Sequence, residues 1–205
     1  MSPGLPRRPQ LTAAPVLLTL ALHGCTTPVR LNAAALSSRS VSEETAEAEE
    51  NAGVVHPAAR SVWIAPIEDR RTDTTLGNVA GRPFALGEVG QWLDHELATI
   101  TSPVFVLMKV PDSGAKTNLT VRPRLLKTYL SSAGTSKMAV VVIEVRFVSP
   151  AAVVHARVYR GQHVSMNWSS SEGEVMNALR DAAAACRTQI RQDIEILLLQ
   201  TEPPT

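Results

Sequence analysis

The chain has 205 residues, with 20 basic and 19 acidic side chains, five histidines and a formal net charge of +1. That balance supplies no clustered positive field to hold nucleic acid, which requires cations ranged along a groove or helix. The two cysteines, Cys25 and Cys186, stand far apart, and no Cys or His pair has ligand spacing, so a zinc site is excluded and no metal or cofactor is expected.

Arg7 and Arg8 precede an uncharged run, Leu11–Leu22, of sequence LTAAPVLLTLAL. The run is shorter than the about 20 residues of a membrane-spanning helix. It has the length of a signal-peptide core, about 7–15 residues. Leu22-His23-Gly24-Cys25 follows. A small residue before a cysteine, with Leu three places ahead of it, resembles the lipobox of bacterial lipoprotein precursors, although His23 departs from the small or β-branched residue usual there. The resemblance implies a signal peptide over 1–24, cleavage before Cys25, and acylation of Cys25 with palmitate-type chains. One acyl chain binds a bilayer only marginally, at about 0.8 kcal/mol per methylene; the three chains of a bacterial lipoprotein would hold durably. The rival readings are a buried helix with a chance cysteine, ordinary secretory cleavage leaving a free thiol, and twin-arginine export. Thr26 stands where an Asp would retain an enterobacterial lipoprotein at the inner membrane, so the expected address is the periplasmic face of the outer membrane. With Cys25 acylated, Cys186 has no disulfide partner.

From Thr26 to about Arg60 the composition turns polar and acidic. SSRSVSEETAEAEENAG has no aromatic residue and cannot bury enough apolar surface to offset its ordering entropy. A helix over EETAEAEE would present only alanine on its apolar side. Residues 25–60 are therefore expected to be the lipidated cysteine and a disordered tether, with a fully extended reach of roughly 110 Å at ~3.3 Å per residue.

A folded domain is expected over 61–200, with a disordered tail at 201–205. Ser61–Ile67 (SVWIAPI) reads as a buried strand. A loop containing Gly77, Gly81 and Pro83 follows. Leu86–Ile100 places Val89, Trp92, Leu93, Leu97 and Ile100 on one helical face, with Glu88, Asp94 and Glu96 off it. Pro103 closes this helix, and Val104–Val110 reads as a second strand, parallel to the first in a β-α-β unit. Thr117–Leu130, Lys137–Val148 and Val153–Trp168 read as an antiparallel meander, with Gly161 bending the last run. Its outer face should show Arg122, Arg124, Arg157 and Tyr159. A final helix begins at Ser171 with Glu174 three residues on, a capping box. Val175, Leu179, Ala183, Cys186, Ile190, Ile194 and Leu197 form its stripe, leaving Arg187 outward. The expected fold is α+β: a two-layer sandwich with a mixed sheet of about five strands and two helices on one face.

Catalytic signatures are wanting. No serine lies in G-x-S-x-G, and Gly77-Asn-Val-Ala-Gly81 lacks the Lys-Ser/Thr ending of a phosphate loop. Asp94-His95-Glu96 reads as a solvated helix face. The cluster at the mouth of the first strand, Glu68-Asp69-Arg70-Arg71, offers the one candidate site. Asp69 there either caps the turn, with an arginine pairing to an acid, or joins Arg70 and Arg71 in a partner-recognition loop with both arginines exposed.

Ile64-Ala-Pro-Ile-Glu-Asp69-Arg70-Arg71, Leu86-Gly-Glu-Val-Gly-Gln-Trp92-Leu-Asp-His-Glu-Leu97 and Tyr159-Arg-Gly161 before a terminal helix together resemble the YajG-like bacterial lipoproteins, over roughly Val62 to Leu199. The resemblance implies a non-enzymatic envelope lipoprotein with an α+β domain and implies no activity. Two function classes follow. One is a membrane-tethered domain that binds an envelope protein partner. The other is an accessory of lipid or lipopolysaccharide transport with an apolar groove between helix and sheet.

Overall fold

A computed structural model of the chain describes residues 27–33, 35, 60–108, 117–150, 153–166 and 171–200. The expected signal peptide, Cys25, residues 36–59 of the expected tether and the tail lie outside the described residues. Among the described residues nine strands and two long helices succeed one another. They are β1 (Val29–Leu31), β2 (Arg60–Ile64), β3 (Glu68–Asp69), β4 (Thr75–Val79), β5 (Arg82–Leu86), α1 (Val89–Ala98), β6 (Phe105–Met108), β7 (Leu119–Ala133), β8 (Ser136–Val148), β9 (Val153–Met166) and α2 (Glu172–Gln200).

The meander is the spine of the sheet. β7, β8 and β9 pair antiparallel over nearly their whole lengths, joined between β7 and β8 by a tight turn at Gly134. Along the other side of β7 three strands attach in succession, all parallel to it: β2 at Leu119–Val121, β3 at Arg124–Leu125 and β4 at Leu130. β6 extends β2 in parallel, as the β-α-β reading expected. β4 and β5 form a hairpin through Ala80 and Gly81, both at positive φ, the signature of a two-residue turn whose twist matches the strands. β1 then adds parallel to β5.

The sheet therefore has nine strands, not about five. The additional ones are β1, β3, β4 and β5. The long β7 offers a backbone ladder that recruits short segments too polar or glycine-rich to announce themselves. Gly77 shows how closely β4 approaches: a Cβ there would lie 2.4 Å from the Leu130 carbonyl oxygen. β1 also interrupts the expected tether, since Leu31 is buried in the core and pairs with Leu86.

Alternation along β7 and β8 buries Leu119, Val121, Leu125, Ala139, Val141, Ile143, Val145 and Phe147 beneath the helices. All seven stripe residues expected on α2 are buried. The Ser171 hydroxyl accepts the Glu174 N–H at 3.3 Å, as the capping box expects, and the Glu174 carboxylate pairs with buried Lys137.

Two registers differ from expectation. Tyr159 is buried under α2, and Arg157 shares its side of β9, so neither lies on the outer face. Gly161 serves a purpose other than bending. A Cβ there would stand 1.8 Å from the Ala182 carbonyl oxygen and 2.9 Å from Cys186 Sγ, so the glycine lets α2 settle directly on β9.

Candidate interaction surface

Wherever β7 and β8 send odd-numbered side chains inward, the intervening ones point to the open face. On β7 these include Thr120, Arg122 and Arg124, and on β8 Glu144 and Arg146. The register sets Arg122 opposite Arg146 and Arg124 opposite Glu144, while β3 places Glu68 beside Arg124. A charge ladder results. Arg70 Nη2 lies 2.6 Å from Glu68 Oε1, and Arg124 Nε lies 2.9 Å from Glu68 Oε2. Arg124 Nη1 approaches Glu144 Oε2 at 3.6 Å, and Arg146 Nη2 approaches Glu144 Oε1 at 3.5 Å. With Arg122 exposed beside them, four arginines face two glutamates, so the strip is basic. Half-buried Trp63 flanks it, paired in register with Thr120.

Exposed ion pairs contribute only about 0–1 kcal/mol each to stability. The ladder is not what holds the sheet together, and its arginines and tryptophan are the residue types that anchor interfaces. Beyond the ladder the same face turns apolar. Val158, Val164 and Met166 on β9 are each more than half exposed, beside the Tyr129 hydroxyl that accepts from Arg160 Nη2 at 3.2 Å.

The three residues expected to form the recognition loop part company. Asp69 accepts from Arg71 N and Nε at 3.0 Å and from Arg71 Nη2 at 2.8 Å. These bonds hold its carboxyl below the usual range, against the opposing effect of burial. Arg71 also donates through Nη1 to the Leu86 carbonyl at 3.1 Å, and its side chain is 5 % exposed. Arg71 therefore locks β3 to the end of β5 and is not the exposed arginine that a recognition loop needs. Arg70, 56 % exposed, belongs to the ladder.

The helix pair holds a second charged cluster that the sequence hid. Glu96 and Asp94 are not on a solvated face. Asp94 Oδ1 accepts the Ile67 N–H at 2.6 Å, and burial pushes its carboxyl pKa up. Glu96, 2 % exposed, accepts from Trp92 Nε1 at 3.2 Å and lies 3.5 Å from Arg187 Nη1. Burial raises its pKa, and the Arg187 charge opposes that rise. Arg187 also donates to the Thr99 hydroxyl. It faces α1 and not solvent, because α1 packs alongside and widens the covered arc of α2.

Under α2, the Tyr159 hydroxyl donates to Asp193 Oδ2 at 2.5 Å, and Arg157 Nη1 donates to the same oxygen at 2.9 Å. Burial and the carboxylate push the phenol well above its ordinary pKa. The Cys186 thiol sits 3.5 Å from the Val141 carbonyl, and burial pushes it up to about 11, which keeps it an unreactive thiol. A cavity of about 220 Å³ lies between the helices, lined by Thr99, Ile100, Thr101, Arg187, Thr188 and Arg191. Among the described residues no cluster of His, Cys, Asp and Glu could hold a metal, and no helix is long and apolar enough to cross a membrane.

No family model matches the chain, and no curated protein matches it. Solved structures do. Protein XCC0632 from Xanthomonas campestris, of the family DUF330, superposes with a TM-score of 0.57 at 13% identity, over 71% of this chain and 91% of that one. At that identity the likeness is one of fold. Matches with lower TM-scores include a putative lipoprotein from Caulobacter crescentus, at 0.39, 13% identity and 68% and 94% coverage of the two chains. They also include uncharacterized lipoprotein B from Nitrosomonas europaea, at 0.40, 9% identity and 72% and 92% coverage.

Proposed function

We propose that the chain is a non-enzymatic lipoprotein of the bacterial envelope, acylated at Cys25 and held at the periplasmic face of the outer membrane. There it presents the open face of its sheet to a protein partner. The anchor rests on the basic start, the apolar run and Leu22-His23-Gly24-Cys25. The likeness to YajG-like lipoproteins and the lipoprotein names among the structural matches accord with it. The observation that carries the binding role is the basic ladder of Arg70, Arg122, Arg124 and Arg146 beside Trp63. Such a strip fits an acidic protein surface, since charge complementarity steers encounter and arginine supplies the anchors.

The accessory reading, with an apolar groove for lipid between helix and sheet, has less behind it. The close approach at Gly161 leaves no room beneath the middle of α2, and the cavity between the helices is lined by three threonines and two arginines with Ile100 as its one apolar residue.

Photo-crosslinking residues placed at Arg122 and at Gln192 on the exposed side of α2, in cells, test the binding role. A discrete adduct from position 122, absent from 192, is expected. The double variant R122E/R146E should lower adduct yield from a photo-crosslinker at Trp63 by tenfold or more, given that an interface arginine is worth about 2 kcal/mol. Equal adducts from both faces, or undiminished yield in the double variant, would contradict it.

A further inference from the structure

β1 begins at Val29, only four peptide units after Cys25. Four consecutive Cα–Cα steps of 3.8 Å span at most ~15 Å. If Cys25 carries the acyl chains, as the proposed function holds, Val29 cannot stand farther than that from the membrane surface. A long free tether would have left the domain's orientation open; a strand this near the anchor does not.

The topology decides which part of the domain is brought close. β1 runs parallel to β5, and β5 antiparallel to β4, which itself runs parallel to β7. β1 therefore enters at the end where the β4–β5 turn (Ala80, Gly81) and the β7–β8 turn (Gly134, Thr135) lie. The Ala80 N–H donating to the Ser132 hydroxyl ties the two turns together. Val29 pairs with Phe84. The tip at Gly81 lies three residues farther toward that end, about 10 Å at ~3.3 Å per residue. α2 starts at the same end, fastened by Glu174 to Lys137. Neither Val79-Ala-Gly-Arg82 nor Ser132-Ala-Gly-Thr-Ser-Lys137 contains an acid, and the exposed arginines Arg30 and Arg82 stand beside β1's entry. Met166, 60 % exposed, closes β9 there. The acids at this end are confined to the first turn of α2, where Glu174 is paired with Lys137 and Glu172 is exposed; the two turns themselves offer cations and an apolar side chain and no carboxylate, which suits anionic lipid headgroups.

We propose that this end of the sandwich, formed by the β4–β5 and β7–β8 turns and the start of α2, rests on the bilayer that holds the acyl chains of Cys25. The 29 residues of α2 then carry the opposite end about 40 Å outward at 1.5 Å per residue. That end includes the tie from Arg60 to the Leu198 carbonyl, while Thr101 and the cavity between the helices lie beside Arg187–Arg191, more than half way along α2. The open face with its ladder stands along the membrane normal, accessible from the side.

The test uses full-length acylated protein in vesicles of phosphatidylethanolamine and phosphatidylglycerol, 3:1, doped with headgroup spin-labelled lipid. A fluorophore is placed on T135C or on T101C, both exposed positions, with Cys186 too buried to label. Mass spectrometry of the Cys25 peptide and vesicle flotation are read first. Severalfold stronger quenching at 135 than at 101 is the expected result. Equal quenching in acylated, floating protein overturns the orientation and leaves the anchor standing. Absence of acylation overturns both.

Discussion

Gly161→Ala isolates the contact on which the helix layer depends. The added Cβ would lie 1.8 Å from the Ala182 carbonyl oxygen and 2.9 Å from Cys186 Sγ, whereas a comfortable C···O approach is about 3.3 Å or more. The obstructing oxygen belongs to helix backbone, so no rotamer change relieves it. α2 must retreat by about 1.5 Å, and a gap of even ~0.5–1 Å forfeits a quarter to a half of each dispersion contact it opens. Overpacking commonly costs ~1–3 kcal/mol; a backbone clash at mid-helix belongs at the upper end, about 3 kcal/mol. For a domain of this size that lowers the melting midpoint by roughly 6–12 °C. Urea and thermal unfolding measure it, with Gly173→Ala as the control. Gly173 has nothing within 4 Å of an added Cβ and should gain up to ~1 kcal/mol from helix propensity. Alkylation of Cys186 should also quicken as the helix lifts. A Gly161→Ala protein that melts with the wild type and keeps its thiol silent would refute the close packing of α2 on β9.

Arg71→Ala should destabilise by ~2–3 kcal/mol, because it strands partners of a nearly buried guanidinium, while Arg70→Ala should cost no more than ~1 kcal/mol; urea midpoints on the two variants decide. Glu96 has a folded pKa raised above the ordinary 4.5, so the native state binds the extra proton and stability falls as pH rises from about 4.5 through the raised value. Glu96→Gln should remove that component, and unfolding free energies at pH 4 to 8 should show a flatter profile; an unchanged slope would contradict the burial of Glu96. Leu179→Ala should cost ~2–5 kcal/mol in the same assay.

What the sequence disclosed is where one element's own pattern suffices. Seven apolar residues at helical spacing announced α2, and the long alternating runs announced β7, β8 and β9. The strands it hid are two to five residues long. Glu68–Asp69 and Thr75–Val79 carry two acids, a glycine and an asparagine, and become strands because β7 offers them hydrogen bonds. Partnership between helices was equally invisible: Glu96 and Arg187 each look solvated on their own helical wheel, and become buried partners only when α1 lies beside α2. On β9 the expected register puts Tyr159 outward, yet its ring is buried and its hydroxyl finds Asp193, 34 residues on. In the candidate site Arg122 and Arg124 are legible on the open face, and Glu144 and Arg146 carry the same signal, an alternating polar pair on β8. The Glu68–Arg71 cluster looks functional because it gathers four charges, although one of its two arginines, Arg71, is a buried clasp.

The claim underneath all of this is the anchor, and the mass of the mature amino terminus tests it most directly. Protein extracted from membranes with detergent should begin at Cys25, with that residue carrying a diacylglyceryl thioether and, after complete maturation, a third acyl chain on its amine. An amino terminus at Met1, or a mature chain whose Cys25 is an unmodified thiol, would contradict the account.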